Sequence, residues 1–352
     1  MKEAFISAGP KVEIVDSPIP QPKPGQVVIK VVVSGSNPKD WKVPEWMTDS
    51  GMSNFNQGDD IAGTIHAVGD EVTEFRKGDR VAAFHEMLTP HGSYAEYAVA
   101  WAHTTFFLPE KTSFEEGAAI PLAAMTAAVG LYAADRLNLP QPWSPAAEAI
   151  PLVVYGASSA VGSYVIQLAK QSNIHPLICV AGRAQEHVEK LIDRSKGDTI
   201  IDYRKGDEAV VQGIKDALNG KKLEHAYDAV SEKGSYQNIA QVLDSKAGSI
   251  TLVLPPPGGD WTAKFPGVAE SVKQSTTNVG SVHNALKDLG YVYFRYFTRG
   301  LEEGWFKPQP QEVVPGGLAG VEGALAKLKD GTASAVKYVF RIGDTEGAGS
   351  GQ

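Results

Sequence analysis

The sequence predicts an α/β protein in two parts, and three observations predict it. An apolar strand, Pro151–Tyr155, runs through the small-residue turn Gly156-Ala-Ser-Ser-Ala-Val-Gly162 into a helix whose Val161, Tyr164, Val165, Leu168 and Ala169 share one face. That strand–turn–helix unit is how a dinucleotide-binding sheet of the Rossmann type begins. Apolar runs at Leu177–Ala181, Thr199–Asp202, Ala226–Val230 and Ser249–Leu254 follow, with helix-periodic segments such as Val188, Leu191 and Ile192 between them. This is the rhythm of a doubly wound parallel sheet. The long region before residue 151 has a different rhythm, of short strands and frequent turns, which suggests a small barrel.

Each element of that first region is marked by its punctuation. Val12–Val15 leads through a Pro- and Gly-rich turn at Pro18–Gly25 to Val27–Val33, and Gly63–Gly69, Gly78–Phe84 and Gly92–Val99 are further short strands. Ser113-Phe-Glu-Glu116 reads as a capping box opening a helix, which Pro121 should break. Beyond Pro255–Gly259 the alternation loosens. A helix-like Val321–Lys329 and a strand Val336–Ile342 close the chain, and Asp344–Gln352 reads as a polar tail with no core contribution.

The 352 residues exceed what one core usually serves, so two domains are expected. A net charge of −8 with no run of Lys or Arg argues against a nucleic-acid or anionic-membrane partner. Cys179 is the only cysteine, which excludes intrachain disulfides and any zinc site of several thiolates. With a polar N-terminus unlike a signal peptide and no apolar stretch of bilayer length, the expected location is cytoplasmic.

In the nucleotide turn, Gly156, Ala157, Ser158, Ser159, Ala160, Val161 and Gly162 keep side chains small where the backbone must approach a pyrophosphate. Ala157 and Ser159 replace the first two glycines of the G-x-G-x-x-G pattern. At the end of the second strand, where an acid would bind the ribose hydroxyls of NAD, the chain reads Ala181-Gly182-Arg183. A guanidinium there suits a 2′-phosphate, so NADPH is the expected cofactor. Tyr203, ending the third strand, could stack on adenine or donate to the same phosphate; ordinary strand-end packing is the alternative.

The order of these pieces resembles the medium-chain dehydrogenase/reductase superfamily, in which a GroES-like domain is split around a central Rossmann domain. Ser36-Asn-Pro-Lys-Asp40, Gly58-Asp-Asp-Ile-Ala-Gly63, Val68-Gly-Asp-Glu-Val72, Lys77-Gly-Asp-Arg-Val81 and His91-Gly-Ser-Tyr-Ala-Glu-Tyr97 are similar to its quinone-reductase branch. Asn37-Pro-Lys-Asp-Trp-Lys42, Val154-Tyr-Gly156 and Ile201-Asp-Tyr-Arg204 resemble the trans-acting enoyl reductases of polyketide synthases. The resemblance implies a GroES-like catalytic domain over 1–125, a Rossmann domain over 126–290, and a return to the catalytic domain with a C-terminal tail over 291–352. It also implies no zinc, because the positions of a cysteine ligand and of a His-Glu pair are held by Asn37, Asp59 and Asp60. A hard-cation site of Asp59, Asp60 and His66 is conceivable, but solvated turn and strand residues read the same way.

Hydride chemistry belongs to the nicotinamide, and without a Lewis acid the chain favours conjugate reduction, whose charge spreads into an enolate. The resemblance places Asn37, Pro38, Asp40 and Lys42 against the cofactor. Lys42 would hold it, carry the enolate oxygen or supply a proton; a solvated lysine is the competing reading. Val230, Leu254, Lys337 and Tyr338 are further implied cofactor contacts. Ala123, Met125, Thr126 and Gly130, with Thr251, Val253 and Pro255, would line the acceptor site, Thr126 being the polar member with Lys42 as the candidate catalytic pair; packing accounts for them equally. The aromatic cluster Tyr291, Tyr293, Phe294, Tyr296 and Phe297 would either enclose an acceptor or build core.

The leading expectation is an NADPH-dependent reductase of a small-molecule or carrier-bound acyl substrate carrying an activated double bond, with a synthase as possible partner. A quinone reductase and a non-catalytic NADPH-binding protein are the alternatives. Both a monomer and a homodimer fit, with Pro255–Gly259 and the segment after it placed to block a sheet edge.

Overall fold

The computed structural model describes residues 1–48 and 54–349. They form two units, Met1–Leu122 with Gly280–Gln352, and Ala123–Val279.

The first unit begins with an antiparallel hairpin of β1 (Lys2–Ser7) and β2 (Lys11–Asp16). There follow β3 (Gln26–Gly35), helix α1 (Lys39–Trp46), β4 (Asp60–Val68), β5 (Arg80–Phe84), β6 (Tyr97–Trp101), β7 (Thr105–Phe107) and α2 (Phe114–Ala118). β3 is the organising strand, pairing antiparallel with both β4 and β6. Register shifts against β4 at Val28/Ile29 and Val31/Val33 mark bulges, which bend and twist a strand enough to curl its sheet. The capping box forms as expected: the Ser113 hydroxyl accepts from Glu116 N and the Glu116 carboxylate accepts from Ser113 N. Pro121 ends that helix by opening the next, where its missing N–H costs nothing.

That next helix, α3 (Pro121–Tyr132), leads into the second unit. Here β8 (Leu152–Tyr155), α4 (Ala160–Gln171), β9 (Leu177–Ala181), α5 (Gln185–Glu189), β10 (Thr199–Asp202), α6 (Asp207–Leu218), β11 (His225–Asp228), α7 (Ser235–Ala240), β12 (Ser249–Leu252) and β13 (Lys273–Thr276) alternate. The six strands are parallel, in the order β10-β9-β8-β11-β12-β13. The order reverses between β8 and β11, and such a switch point opens a crevice at the carboxyl ends of the strands. Five of the six strands follow the apolar runs. β13 is Lys-Gln-Ser-Thr, and it has no apolar signal to read.

The chain rejoins the first unit at Gly280, ahead of the expected 291, because the intervening residues pack there: Val282 is fully buried and its carbonyl meets His103 Nε2 at 3.0 Å. α8 (Lys287–Glu303), β14 (Gln311–Val313), α9 (Val321–Lys329) and β15 (Lys337–Arg341) complete it. β15 pairs antiparallel with β3 and parallel with β14. Ala4, Ile6, Val27 and Ile29 from the start of the chain share one core cluster with Leu325, Phe340 and Ile342 from its end. Tyr293, Phe294 and Phe297 of the aromatic cluster build core as well, Phe294 stacking on Phe106 and Phe297 on Phe306, while Tyr291 is exposed. The polar tail does contribute: Thr345 is buried and its hydroxyl accepts from Leu318 N at 3.0 Å.

Candidate functional site

In the second unit the nucleotide turn is shaped by contacts that admit only glycine. Gly156 has φ +76°, and a Cβ there would fall 2.6 Å from Val230 Cγ2; one on Gly162 would fall 2.3 Å from the Gly156 carbonyl oxygen. Gly156 N and Ala157 N both donate to the Val180 carbonyl, which fixes the turn to β9. Ser159 caps α4, its hydroxyl accepting from Gly162 N at 3.0 Å, while Ser163 N takes the Ser159 carbonyl. The first-turn amides of Ala160 and Val161 have no intrahelical carbonyl ahead of them, the usual place for a phosphate. Ser158, Ser159, Ala160 and Val161 are all partly exposed at this rim.

At the end of β9, Gly182 is needed for a second close approach, since a Cβ would sit 2.6 Å from the Tyr203 ring. Tyr203 is half exposed over that backbone and Arg183 is exposed beside it. Arg204 is not available to the same space, because it pairs with Asp202, which also accepts from Gln185 Nε2. That guanidinium holds the Asp202 carboxyl well below the usual range. The glycine-only turn, the capped helix start and the shelf of Tyr203 on Gly182 fit the diphosphate and adenosine of a dinucleotide.

The remaining expected residues of this unit sit in tight packing. A Cβ on Gly130 would meet the Tyr227 ring at 2.3 Å, and the Tyr227 hydroxyl donates to the Thr126 carbonyl. Ala123, Met125 and Thr126 are buried, and Thr251 shares a 2.7 Å hydrogen bond with Thr277. Val253, Leu254 and Pro255 are half-buried after β12, and Val253 N donates to the Ser231 hydroxyl.

In the first unit, the positions that resemble vacated metal-ligand places form a buried ionic cluster. Asp60 Oδ2 accepts from Asn37 Nδ2 at 2.8 Å and from Lys337 Nζ at 2.6 Å, and its Oδ1 accepts from Leu122 N at 2.7 Å. Lys337 also donates to Asn37 Oδ1. Asp59 pairs with Lys39 at 2.5 Å; Lys39 also lies 3.1 Å from Asp40 and donates to the Gln57 carbonyl. Asp40 accepts from Tyr94 Oη and Asn37 N. Burial pushes both the Asp40 and Asp59 carboxyls up to about 6, against the lowering effect of Lys39. The carboxylates at two of the three replaced positions are thus each engaged by an ammonium group, a donor set that suits internal cations rather than a metal.

Lys337 therefore reaches Asp60 and Asn37, while Tyr338, buried, receives both the amide and the hydroxyl of Ser36 on its carbonyl. Pro38 caps α1, and Lys42 on its first turns lies over Trp41 and Trp46, 5.2 and 6.0 Å from the ring centroids. Lys39 was not among the expected site residues. Its signal was present: two adjacent acids entering a buried strand need cations, and a lysine stands in the turn that faces them.

Residues 23–110 match the alcohol dehydrogenase GroES-like domain. The chain is 58% identical over 322 residues to the trans-enoyl reductase fsr4 of Gibberella fujikuroi, covering 91% of this chain and 92% of the relative. It is 31% identical to the trans-enoyl reductase resD of Aspergillus sclerotiorum, over 97% and 100% of the two chains. Among solved structures, an alcohol dehydrogenase protein from Rhizobium etli described as zinc-dependent superposes with a TM-score of 0.80 at 24% identity over 97% of this chain and 98% of that one, a likeness of fold. The molecule is a medium-chain dehydrogenase/reductase, an oxidoreductase built to use a nicotinamide dinucleotide. Within that superfamily it belongs to the trans-enoyl reductases.

Proposed function

We propose that the protein uses NADPH to reduce the activated carbon–carbon double bond of an enoyl thioester, on an acyl chain carried by a polyketide synthase. The observation that carries this reading is the identity to fsr4 across nine-tenths of both chains. The ionic cluster supports it: with Asp59 and Asp60 paired to lysines, no Lewis acid is prepared for a simple carbonyl, and conjugate reduction needs only donors for an enolate oxygen.

When bound, the nicotinamide supplies the hydride. Gly156–Gly162 holds the diphosphate, Arg183 pairs with the 2′-phosphate, Tyr203 covers the adenine, and Val230, Leu254, Asn37, Pro38, Asp40, Lys337 and Tyr338 shape the rest of the cofactor's surroundings. Lys42 steadies the cofactor, Thr126 donates to the enolate oxygen, and Ala123, Met125, Gly130, Thr251, Val253 and Pro255 shape the acceptor side. Water supplies the α-carbon proton. Neither nucleic acid nor membrane takes part; among the described residues no helix is long and apolar enough to cross a bilayer. The setting is cytoplasmic.

The test is purified protein with NADPH and a panel of pantetheine- and carrier-bound enoyl thioesters, free enones and quinones, following NADPH oxidation. Turnover should be confined to the unsaturated acyl compounds and be fastest on the carrier. Turnover of quinones alone would reassign the activity, and NADPH binding without oxidation would remove it. Arg183→Ala should weaken NADPH by about tenfold to a hundredfold and leave NADH nearly unchanged; equal losses would refute the phosphate contact.

A further inference from the structure

Asp228 ends β11 at the switch point, opposite Tyr155 of β8 on one side and Leu252 of β12 on the other. It is fully buried, and among the described residues no cation pairs with its carboxylate, which gathers three donors from the loop it precedes. Oδ1 accepts from Val230 N at 2.9 Å and from Ser231 N at 2.8 Å, and Oδ2 accepts from the Ser235 hydroxyl at 2.6 Å. These bonds hold a loop that is otherwise costly, with the non-glycine residues Ser231 at φ +62° and Lys233 at +55°.

The loop held this way touches both neighbours of the crevice. Ala229 N donates to the Tyr155 carbonyl, just before the nucleotide turn, and Val230 lies against Gly156 so closely that no side chain fits between them. On the other side the Ser231 hydroxyl accepts from Val253 N at 2.9 Å, joining β11 to the end of β12. A buried charge with no structural counter-ion is expensive, and it survives where the shape it imposes is needed.

We propose that Asp228 is a positioning residue for the dinucleotide: its carboxylate folds Ala229–Ser235 into a bridge that sets Val230 against the phosphate turn and Ser231 against β12. This rests on the reading of the second unit as a dinucleotide site. It goes further in naming the group that shapes the rim, one that makes no contact with cofactor or substrate itself.

The experiment compares wild type with Asp228→Ala, Asp228→Asn and Ser235→Ala, reading dinucleotide affinity by fluorescence titration with NADPH and NADH. Amide hydrogen exchange of residues 229–235 is read in the cofactor-free protein. Asp228→Ala should raise the Kd for the preferred dinucleotide about tenfold or more and speed exchange at Val230 and Ser231, while kcat at saturating cofactor stays within a few-fold. Asp228→Asn should recover most of the affinity, because its Oδ1 still accepts from both amides. Ser235→Ala, which removes one bond of three, should give a smaller loss and covers the case in which Asp228→Ala does not fold. Unchanged affinity together with unchanged loop exchange in Ser235→Ala, and in Asp228→Ala where it folds, would overturn the proposal. So would exchange accelerated evenly across the unit, the mark of a merely destabilised fold. Failure of the dinucleotide reading appears separately, as a wild type that binds neither nucleotide, and the proposal falls with it.

Discussion

Lys337 is the residue on which the buried cluster of the first unit depends. Removing its ammonium leaves Asp60 charged, buried and short of a partner, which for a broken buried pair costs about 3–5 kcal/mol. Lys337→Met should therefore lower the urea midpoint sharply, and adding Asp60→Asn should return much of the loss, since an Asn still accepts from Leu122 N; a double variant as unstable as the single one would show that the pair itself stabilises. Gly130 offers a test of a different kind. Its Cα faces the Tyr227 ring with no space for a methyl group, so Gly130→Ala should destabilise by about 1–3 kcal/mol through overpacking, measured by thermal unfolding. Gly162→Ala would push on the Gly156 carbonyl, so its loss should be read first in NADPH affinity rather than in stability.

Elements that announce themselves by apolar rhythm were legible, and those held by something else were not. β8 to β12 and the capped start of α2 stand where the residues place them, because each buries an apolar face or satisfies its own end. β13 was silent because it is a polar edge strand whose Gln274 side chain is spent on the preceding segment. α8 was legible as an aromatic cluster but not as a helix; Tyr293, Phe294 and Phe297 fall on its buried face, while Tyr291 and Val292 stay in solvent. Phe297→Ala should accordingly cost about 3–5 kcal/mol by opening a cavity against Phe306 and Phe294; a loss under 1 kcal/mol, checked by denaturant unfolding, would mean the stack is slack. In the site, the turn and its glycines were legible, since close backbone approach leaves a composition. The partner of Asp60 was not, because Lys337 is distant in sequence and carries no spacing signal, whereas Lys39 stands in the turn that faces Asp59.

At the scale of the molecule, two sets of buried groups pull acid stability in opposite directions. Burial raises Asp40, Asp59 and Asp228 to about 6, so between about pH 4 and 6 the folded state binds more protons than the unfolded chain, and this part of the stability grows as pH falls. Burial lowers His103 and His283 to about 4 and His85 likewise downward, so over a similar window the unfolded chain binds more protons, and this part is lost as pH falls. His103→Gln with His283→Gln should therefore lose less stability than wild type between about pH 7 and about pH 5, by urea titration at each pH; an equal or larger loss would show that these imidazoles are not held neutral. The pairing of β15 with β3 bears on how the chain is made. Domains fold as units while the chain is still emerging, yet β3, near the beginning, waits for β15, near the end, and the core around Ala4 and Ile6 waits for Phe340 and Ile342. Ala123–Val279 can complete itself on the ribosome while the strands made before it still lack a neighbour. Strands made before the Ala123–Val279 unit are sheltered only by strands made after it, and that interval is when the nascent chain most needs a chaperone.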